Sequence, residues 1–325
     1  MRMIGCRTLG AAALVLSMGL AGGASAQEKL QYLFPAPSFL VAFAPFQIAT
    51  IKGYYKQAGL EPEFLTGRGG ADTAKQVGAG NVDLGGGVGD TAIIVRPNGV
   101  PVKPVAILGG RSLMQLVVRD DANIKTPADL KGKTIAIQAF QDTTFYSLLG
   151  VMATAGLKKE DANIQAVGPA NTMKMIITGE AQALAAVPDW IGPIQAAGIK
   201  ITVFPSETFF PNMAQAIIAS EDMIKKKPAM IKKFVGATLK GMKDVMDDPA
   251  AAAKLIAANI PEWKDKDAAV TGALTYYANT VYPGQKVLDM MDVERLTKLQ
   301  DFYVAQQIIP SKTPINDLYT NEFIQ

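Results

Sequence analysis

Apolar positions in this chain alternate between two spacings. Short runs suited to strands are followed by segments whose apolar residues repeat with a helical period. From residue 29 the order reads strand 29–34, a loop of Pro and aromatic residues from Phe34 to Phe39, a helix over 44–58 closed at Gly59, and a strand at 60–65. Gly67–Gly70 makes a tight turn, Asp72 caps a short helix ending near Gly78, and Val82–Leu84 runs as a strand into Gly85–Gly89. Asp90 caps a helix over 91–95, and 102–108 is a fourth strand. The alternation restarts at Leu116–Val118. It continues through strands at 134–138, 164–167, 183–187 and 199–204, with helices at about 143–155, 171–178 and 189–197 between them. Beyond an apolar run at 213–219 the chain reads as helical, at about 220–226, 228–247, 249–259, 265–279 and 289–307.

Strand–helix alternation with short connections predicts the α/β class. Two units of similar size, joined by apolar crossings near 113–118 and 213–219, predict two lobes with a cleft between them. Each lobe is expected to be a mostly parallel sheet flanked by helices. Lobe 1 takes residues 27–115 plus 216–325, and lobe 2 takes 116–215. Ligands of open α/β sheets bind beyond the carboxyl ends of the strands, and two such lobes trap a ligand by hinge closure.

Composition narrows the chemistry. The 325 residues include no histidine and one cysteine. A Ser-His-Asp or Cys-His nucleophile cannot be built, and zinc sites of His or several Cys ligands are excluded. Neither a metal nor a cofactor is expected. Lys+Arg is 32 against 29 Asp+Glu, a net charge of +3. A near-neutral body without a basic stripe points away from nucleic acid. The dense run Lys225–Lys227, Lys232 and Lys233 reads as a solvated helix face. Arg2 and Arg7, the apolar stretch Leu9–Leu20 and the small-x-small pattern Ala24-Ser25-Ala26 predict a cleaved signal peptide over 1–26. Mature protein would start at Gln27 without Cys6, and is expected to be a soluble, periplasmic monomer.

Four stretches carry a family resemblance. They are Gly53-Tyr54-Tyr55-Lys56-Gln57-Ala58-Gly59-Leu60; Gly69 to Gly85 with Gly80-Asn81-Val82-Asp83-Leu84-Gly85; Leu116–Arg119 followed by Ile124–Ala136; and Ile177–Ala181 leading into Val187-Pro188-Asp189-Trp190. In this order and spacing the chain resembles the periplasmic substrate-binding proteins of ABC importers, in the nitrate/sulfonate/taurine branch that also binds thiamine-pyrimidine precursors. The resemblance implies a type II periplasmic-binding fold, capture in the cleft, and delivery to a membrane permease with its ATPase. A periplasmic receptor feeding a sensor is the alternative partner. One relative of the fold is an enzyme that makes a thiamine pyrimidine from its own histidine and uses cysteines with iron. A chain with no histidine cannot carry that activity over, and no enzyme is expected.

The candidate ligand contacts sit on the predicted cleft loops. Gly67-Arg68-Gly69-Gly70 sets backbone N–H groups beside a guanidinium, a combination suited to a carboxylate or sulfonate. Read alone, it is equally an ordinary turn with a solvated arginine. The resemblance places Arg68, Gly69 and Gly70 in the cleft, with Gln141, Thr143 and Thr144 facing them from lobe 2. Asp142 reads as a helix cap that would repel an anion if it pointed inward. Phe34, Phe39 and Trp190 are expected as stacking walls, with Ser38 beside them, while Phe43 and Phe46 read as core. Gly89, Asp90 and Thr91 line a third loop, Asp90 chiefly as an N-cap, and Asp189 precedes Trp190 as an acceptor. The leading ligand is a small organic anion, an aromatic or aliphatic carboxylate or sulfonate; the alternative is a pyrimidine-like heterocycle.

Overall fold

The computed structural model describes residues 27–324. The expected signal peptide at 1–26 lies outside the described residues. In the first lobe, strands β1 (Glu28–Phe34), β2 (Leu60–Thr66), β3 (Leu84–Val88) and β4 (Val102–Leu108) are interleaved with helices α1 (Ala44–Ile51), α2 (Tyr54–Gln57), α3 (Gly70–Gly78) and α4 (Thr91–Val95). The second lobe carries β5 (Gln115–Arg119), β6 (Thr134–Ile137), β7 (Asn163–Ala166), β8 (Ala183–Ala186) and β9 (Ile201–Pro205), with α5 (Thr143–Ala153), α6 (Gly168–Thr178) and α7 (Ile191–Ala196). The chain then returns as β10 (Gln215–Ser220). It closes through α8 (Glu221–Lys226), α9 (Pro228–Asp247), α10 (Pro249–Asn259), α11 (Asp267–Tyr276) and α12 (Val293–Ala305).

The two five-stranded sheets have the orders β2-β1-β3-β10-β4 and β7-β6-β8-β5-β9. In each, one strand runs against the rest: β10 is antiparallel to β3 and β4, and β5 is antiparallel to β8 and β9. These are the two strands entered from the other lobe. A crossing arrives at the cleft end of the sheet, where the parallel strands finish, so the strand it feeds must run away from the cleft. Both reversed strands consequently begin beside the cleft, and both begin with glutamine, Gln115 and Gln215.

Arg295 of α12 clasps the two crossings. Its guanidinium donates to the carbonyls of Gly110 and Pro211, each at 2.8 Å, and to that of Asn212, and it pairs with Glu207 at 2.5 Å. Three backbone carbonyls and one carboxylate thus converge on a planar fork that matches them.

Alternation along β1 builds the lobe-1 core. Leu30, Tyr32 and Phe34 are buried on one face, where Phe34 meets Phe43 at 4.3 Å and Tyr32 stacks on Phe234 of α9 at 5.2 Å. Helix α1 lies directly on α9, and the crossing needs Gly241, because a Cβ there would collide with the Pro45 carbonyl. Truncating one of these rings is expected to cost ~3–5 kcal/mol.

Some element bounds differ from the sequence reading for local reasons. The helix expected over 44–58 is broken at Gly53, whose φ of 72° is left-handed. The helix expected over 289–307 starts only at Val293, where the Asp292 carboxylate accepts from the Arg295 amide at 3.1 Å. The helix expected over 265–279 passes from α11 into a π-turn over Tyr277–Val281. None of the helices among the described residues is long and apolar enough to cross a membrane.

Candidate functional site

Between the lobes lies a cavity of about 50 Å³. At 10–15 Å³ per water-sized group this is room for about three to five such groups, on the scale of a single planar ring. Phe43 and Trp190 face it from opposite lobes, over a floor of Pro35, Ala36, Gly87 and Val88. Gln138, Thr143 and Thr144 from lobe 2 and Gln215 from lobe 1 supply amides and hydroxyls. No Lys or Arg among the described residues lines it.

Local sequence explains this lining. Gln138 ends the β6 run, and Thr143 and Thr144 open α5, so all three sit where strand gives way to helix. Asp142 caps that helix. Its Oδ1 accepts from the Thr144 amide at 2.7 Å and from the Thr144 hydroxyl at 2.8 Å. Its Oδ2 takes part in neither bond, and the residue borders the cavity. Burial pushes the Asp142 carboxyl above its ordinary range, with the Thr144 bonds pulling the other way.

Outside this cavity, separated by the meeting of Gly69 with Gln141, runs a larger groove of about 520 Å³. It holds Arg68, Asp72 and Lys75 from lobe 1 and Gln141, Gly168 and Pro169 from lobe 2; Gln138 borders both spaces. The Arg68 side chain is 86% exposed and only loosely paired, 3.9 Å from Asp72. At the seam the Ala71 amide donates to the Gln141 carbonyl at 3.1 Å. Gly69 has φ 106°, and a Cβ there would lie 2.7 Å from that same carbonyl. A Cβ on Gly70 would lie 2.7 Å from the Thr143 methyl. Glycine at 69 and 70 therefore permits close contact of the lobes, and the fit leaves no room for a ligand group between them.

The remaining expected contacts are distributed as follows. Phe34 belongs to the lobe-1 core rather than to a cavity wall, because the even positions of β1 point beneath α1 and α9. Ser38 and Phe39 lie on the loop flanking the cavity, held by backbone: the Ser38 carbonyl accepts from Gln47 at 2.8 Å and that of Phe39 from the Trp263 indole at 2.6 Å. Gly89 packs on Met213. The Thr91 hydroxyl accepts from the Val88 amide at 2.9 Å, turning the chain from β3 into α4. Asp90 makes no side-chain cap. Its Oδ2 accepts from the Tyr303 hydroxyl at 2.7 Å, its Oδ1 is buried without a partner, and burial raises its pKa. Asp189 is equally buried, and desolvation raises it. Both of its oxygens are taken, by the Ala42 amide and the Tyr277 hydroxyl, each at 2.9 Å. Trp190 is 5% exposed and does line the cavity.

Sequence reasoning missed Gln138, Gln215 and Phe43. Gln215 opens an apolar run that looked like plain core, and Phe43 sits at a spacing that a helix interior shares. The signal that was available is position: Gln138 and Gln215 are polar residues at strand ends beside the cleft, as is Gln115.

Comparison with known proteins agrees with this architecture. The riboflavin-binding protein RibY of Chloroflexus aurantiacus is 26% identical over 309 residues, covering 92% of this chain and 88% of that one. The alkanesulfonate-binding protein SsuA of Xanthomonas axonopodis pv. citri, solved with MOPS bound, superposes with a TM-score of 0.69 at 19% identity, covering 90% and 98% of the two chains. The desulfurization enzyme DSZB superposes with a TM-score of 0.57 at 18% identity, covering 91% and 97%. At such identities these structures establish the two-lobed fold alone. A family model does more: it matches residues 41–252, from the cavity loop through lobe 2 to the packed helix α10, and the chain belongs to the family described as NMT1/THI5 like.

Proposed function

We propose that this chain is the solute-binding protein of an ABC importer, working in the periplasm and closing its two lobes on a small, uncharged, planar heterocycle. The capture role rests on the family and on the two-lobed fold. Delivery to a permease with its ATPase comes with that role, as does the absence of covalent chemistry. The ligand class rests on one observation: the interlobe cavity is lined by two aromatic rings, by amides and hydroxyls, and by the Asp142 carboxyl, with no cationic side chain. An anion placed there would meet an acid and no compensating base, at a desolvation cost that favours a neutral guest. A ring bearing amino and carbonyl edges would stack between Phe43 and Trp190 and present a donor to Asp142 Oδ2.

The organic-anion reading keeps one supporting observation, the presence of two cations, Arg68 and Lys75, in the lining of the outer groove. A larger ring system, such as the riboflavin for which RibY is named, would need the Gly69–Gln141 seam to part. Thermal shift separates these readings. The panel is an aminopyrimidine, riboflavin, benzoate and an alkanesulfonate. The aminopyrimidine is expected to stabilise the protein, by ~2.7 kcal/mol at a hundred times its dissociation constant. Stabilisation by the two anions alone would overturn the ligand class. No response to any of the four, with no solute co-purifying in native mass spectrometry, would overturn the binding-protein role.

A further inference from the structure

We propose that Asp189 is a latch between the lobes, a positioning residue whose carboxylate favours the closed form by accepting from two lobe-1 donors. The proposal rests on the reading that the lobes close on a solute.

Three carboxylates are buried around the cleft, and their partners set them apart. Asp142 caps its own helix in lobe 2. Asp90 is bound by Tyr303, and both belong to the lobe-1 sheet and its closing helices. Only Asp189 reaches across. It stands in the turn Pro188–Trp190 after β8 of lobe 2. Its Oδ2 accepts from Ala42, in the turn before α1, and its Oδ1 from Tyr277, the first residue of the π-turn. No Lys or Arg pairs with it among the described residues. When the lobes part, both donors leave with lobe 1, and water must replace them. When the lobes meet, the carboxylate exchanges that water for two fixed donors. Burial by itself disfavours the charge and raises its pKa while the two bonds pull the other way, so the latch rests on the donors rather than on the burial.

The chain also ties the latch to the cavity. The donor Ala42 is followed directly by Phe43, and the acceptor Asp189 directly by Trp190, the two aromatic walls. A ring held between those walls fixes the same two backbone turns that the latch must align. The π-turn fits this role as well: it begins at Tyr277, whose hydroxyl reaches Asp189, and π-bulges are frequent at functional positions. Its ring lies against Tyr282 at 5.6 Å.

The test reads the distance between the lobes in the full chain. Spin labels go on Lys75→Cys, which lines the outer groove from lobe 1, and on Asn171→Cys, on α6 of lobe 2 two residues beyond the groove's Pro169, in a Cys6→Ser background. The ligand-free parent is expected to show a short-distance, closed population. Asp189→Asn and Tyr277→Phe should each lower its closed-to-open ratio by ~10-fold, the scale of one hydrogen bond to a buried charge. Tyr303→Phe removes a chemically matched tyrosine–aspartate bond that does not span the cleft, and should leave the ratio within ~2-fold. A merely structural role for Tyr277 would lower the melting temperature as Tyr303→Phe does and leave the distances alone. That result, or a parent with no closed population, would overturn the latch. If the solute panel still shifts the melting temperature, the binding role survives the loss of the latch.

Discussion

The inner cavity and the outer groove lie on either side of one seam, yet they are built from different chemistry. The cavity is small, aromatic and cation-free. The groove is ten times larger by volume, and its cations, Arg68 and Lys75, stand in solvent. Exposure decides which space can select a ligand. A charge in water gains little from a partner, because the high dielectric and salt screen it. A ring or amide in the closed cavity gains its full burial or hydrogen-bond energy. On the proposed reading, the difference teaches that an arginine in a glycine turn marks the cleft rim rather than the recognition site.

The largest effect should come from removing a wall. Trp190→Ala is expected to weaken binding of the solute found in the panel by ~100-fold, about 2.7 kcal/mol, by calorimetric titration. Arg68→Ala should change it by less than ~3-fold. Equal losses would erase the distinction between the two spaces.

Asp142→Asn should be intermediate. An amino-bearing ring would lose a charge-assisted bond and ~10-fold in affinity, while benzoate should bind no worse and gain if it enters at all. Stability provides a second readout with a definite sign. Burial holds the Asp142 carboxyl above its ordinary value of 3.8. A raised folded-state pKa means extra stability below the unfolded value, lost as pH rises through the folded one. Because asparagine also caps helices well, the wild-type protein should lead the variant in melting temperature at low pH and lose that lead toward neutral pH. A lead that grows with pH would mean the carboxylate is stabilised in place, and would remove the acid's argument for the proposed neutral ligand.

Most of the architecture was legible along the chain. Most strand and helix positions followed from periods of two and 3.6 and from Gly punctuation, and the two crossings were visible as apolar runs between repeated α/β units. The expected caps Asp72 and Asp90 do not form, since α3 starts behind Gly69 and Asp90 bonds Tyr303, and the strand expected at 82–84 runs through the glycines as β3 instead. Asp142 as a helix cap was legible from its position at an element start, and Trp190 at the cleft came from the family resemblance. Phe34 was not: alternation says that Phe34 and Tyr32 share a face, but only the placement of α1 and α9 says that this face is core. Asp189 was read as an acceptor for a ligand, whereas its donors come from residues 147 and 88 positions away.

By itself the sequence determined the elements, the α/β class, the two units and the want of histidine chemistry, because periodicity, capping and composition are local properties. Tertiary structure alone decided which cleft residues face inward, which acid bridges the lobes, and that Arg68 stays in water. Those outcomes depend on how two separately folded sheets meet, and the closeness of that meeting at Gly69 and Gly70 is set by partners more than seventy residues away.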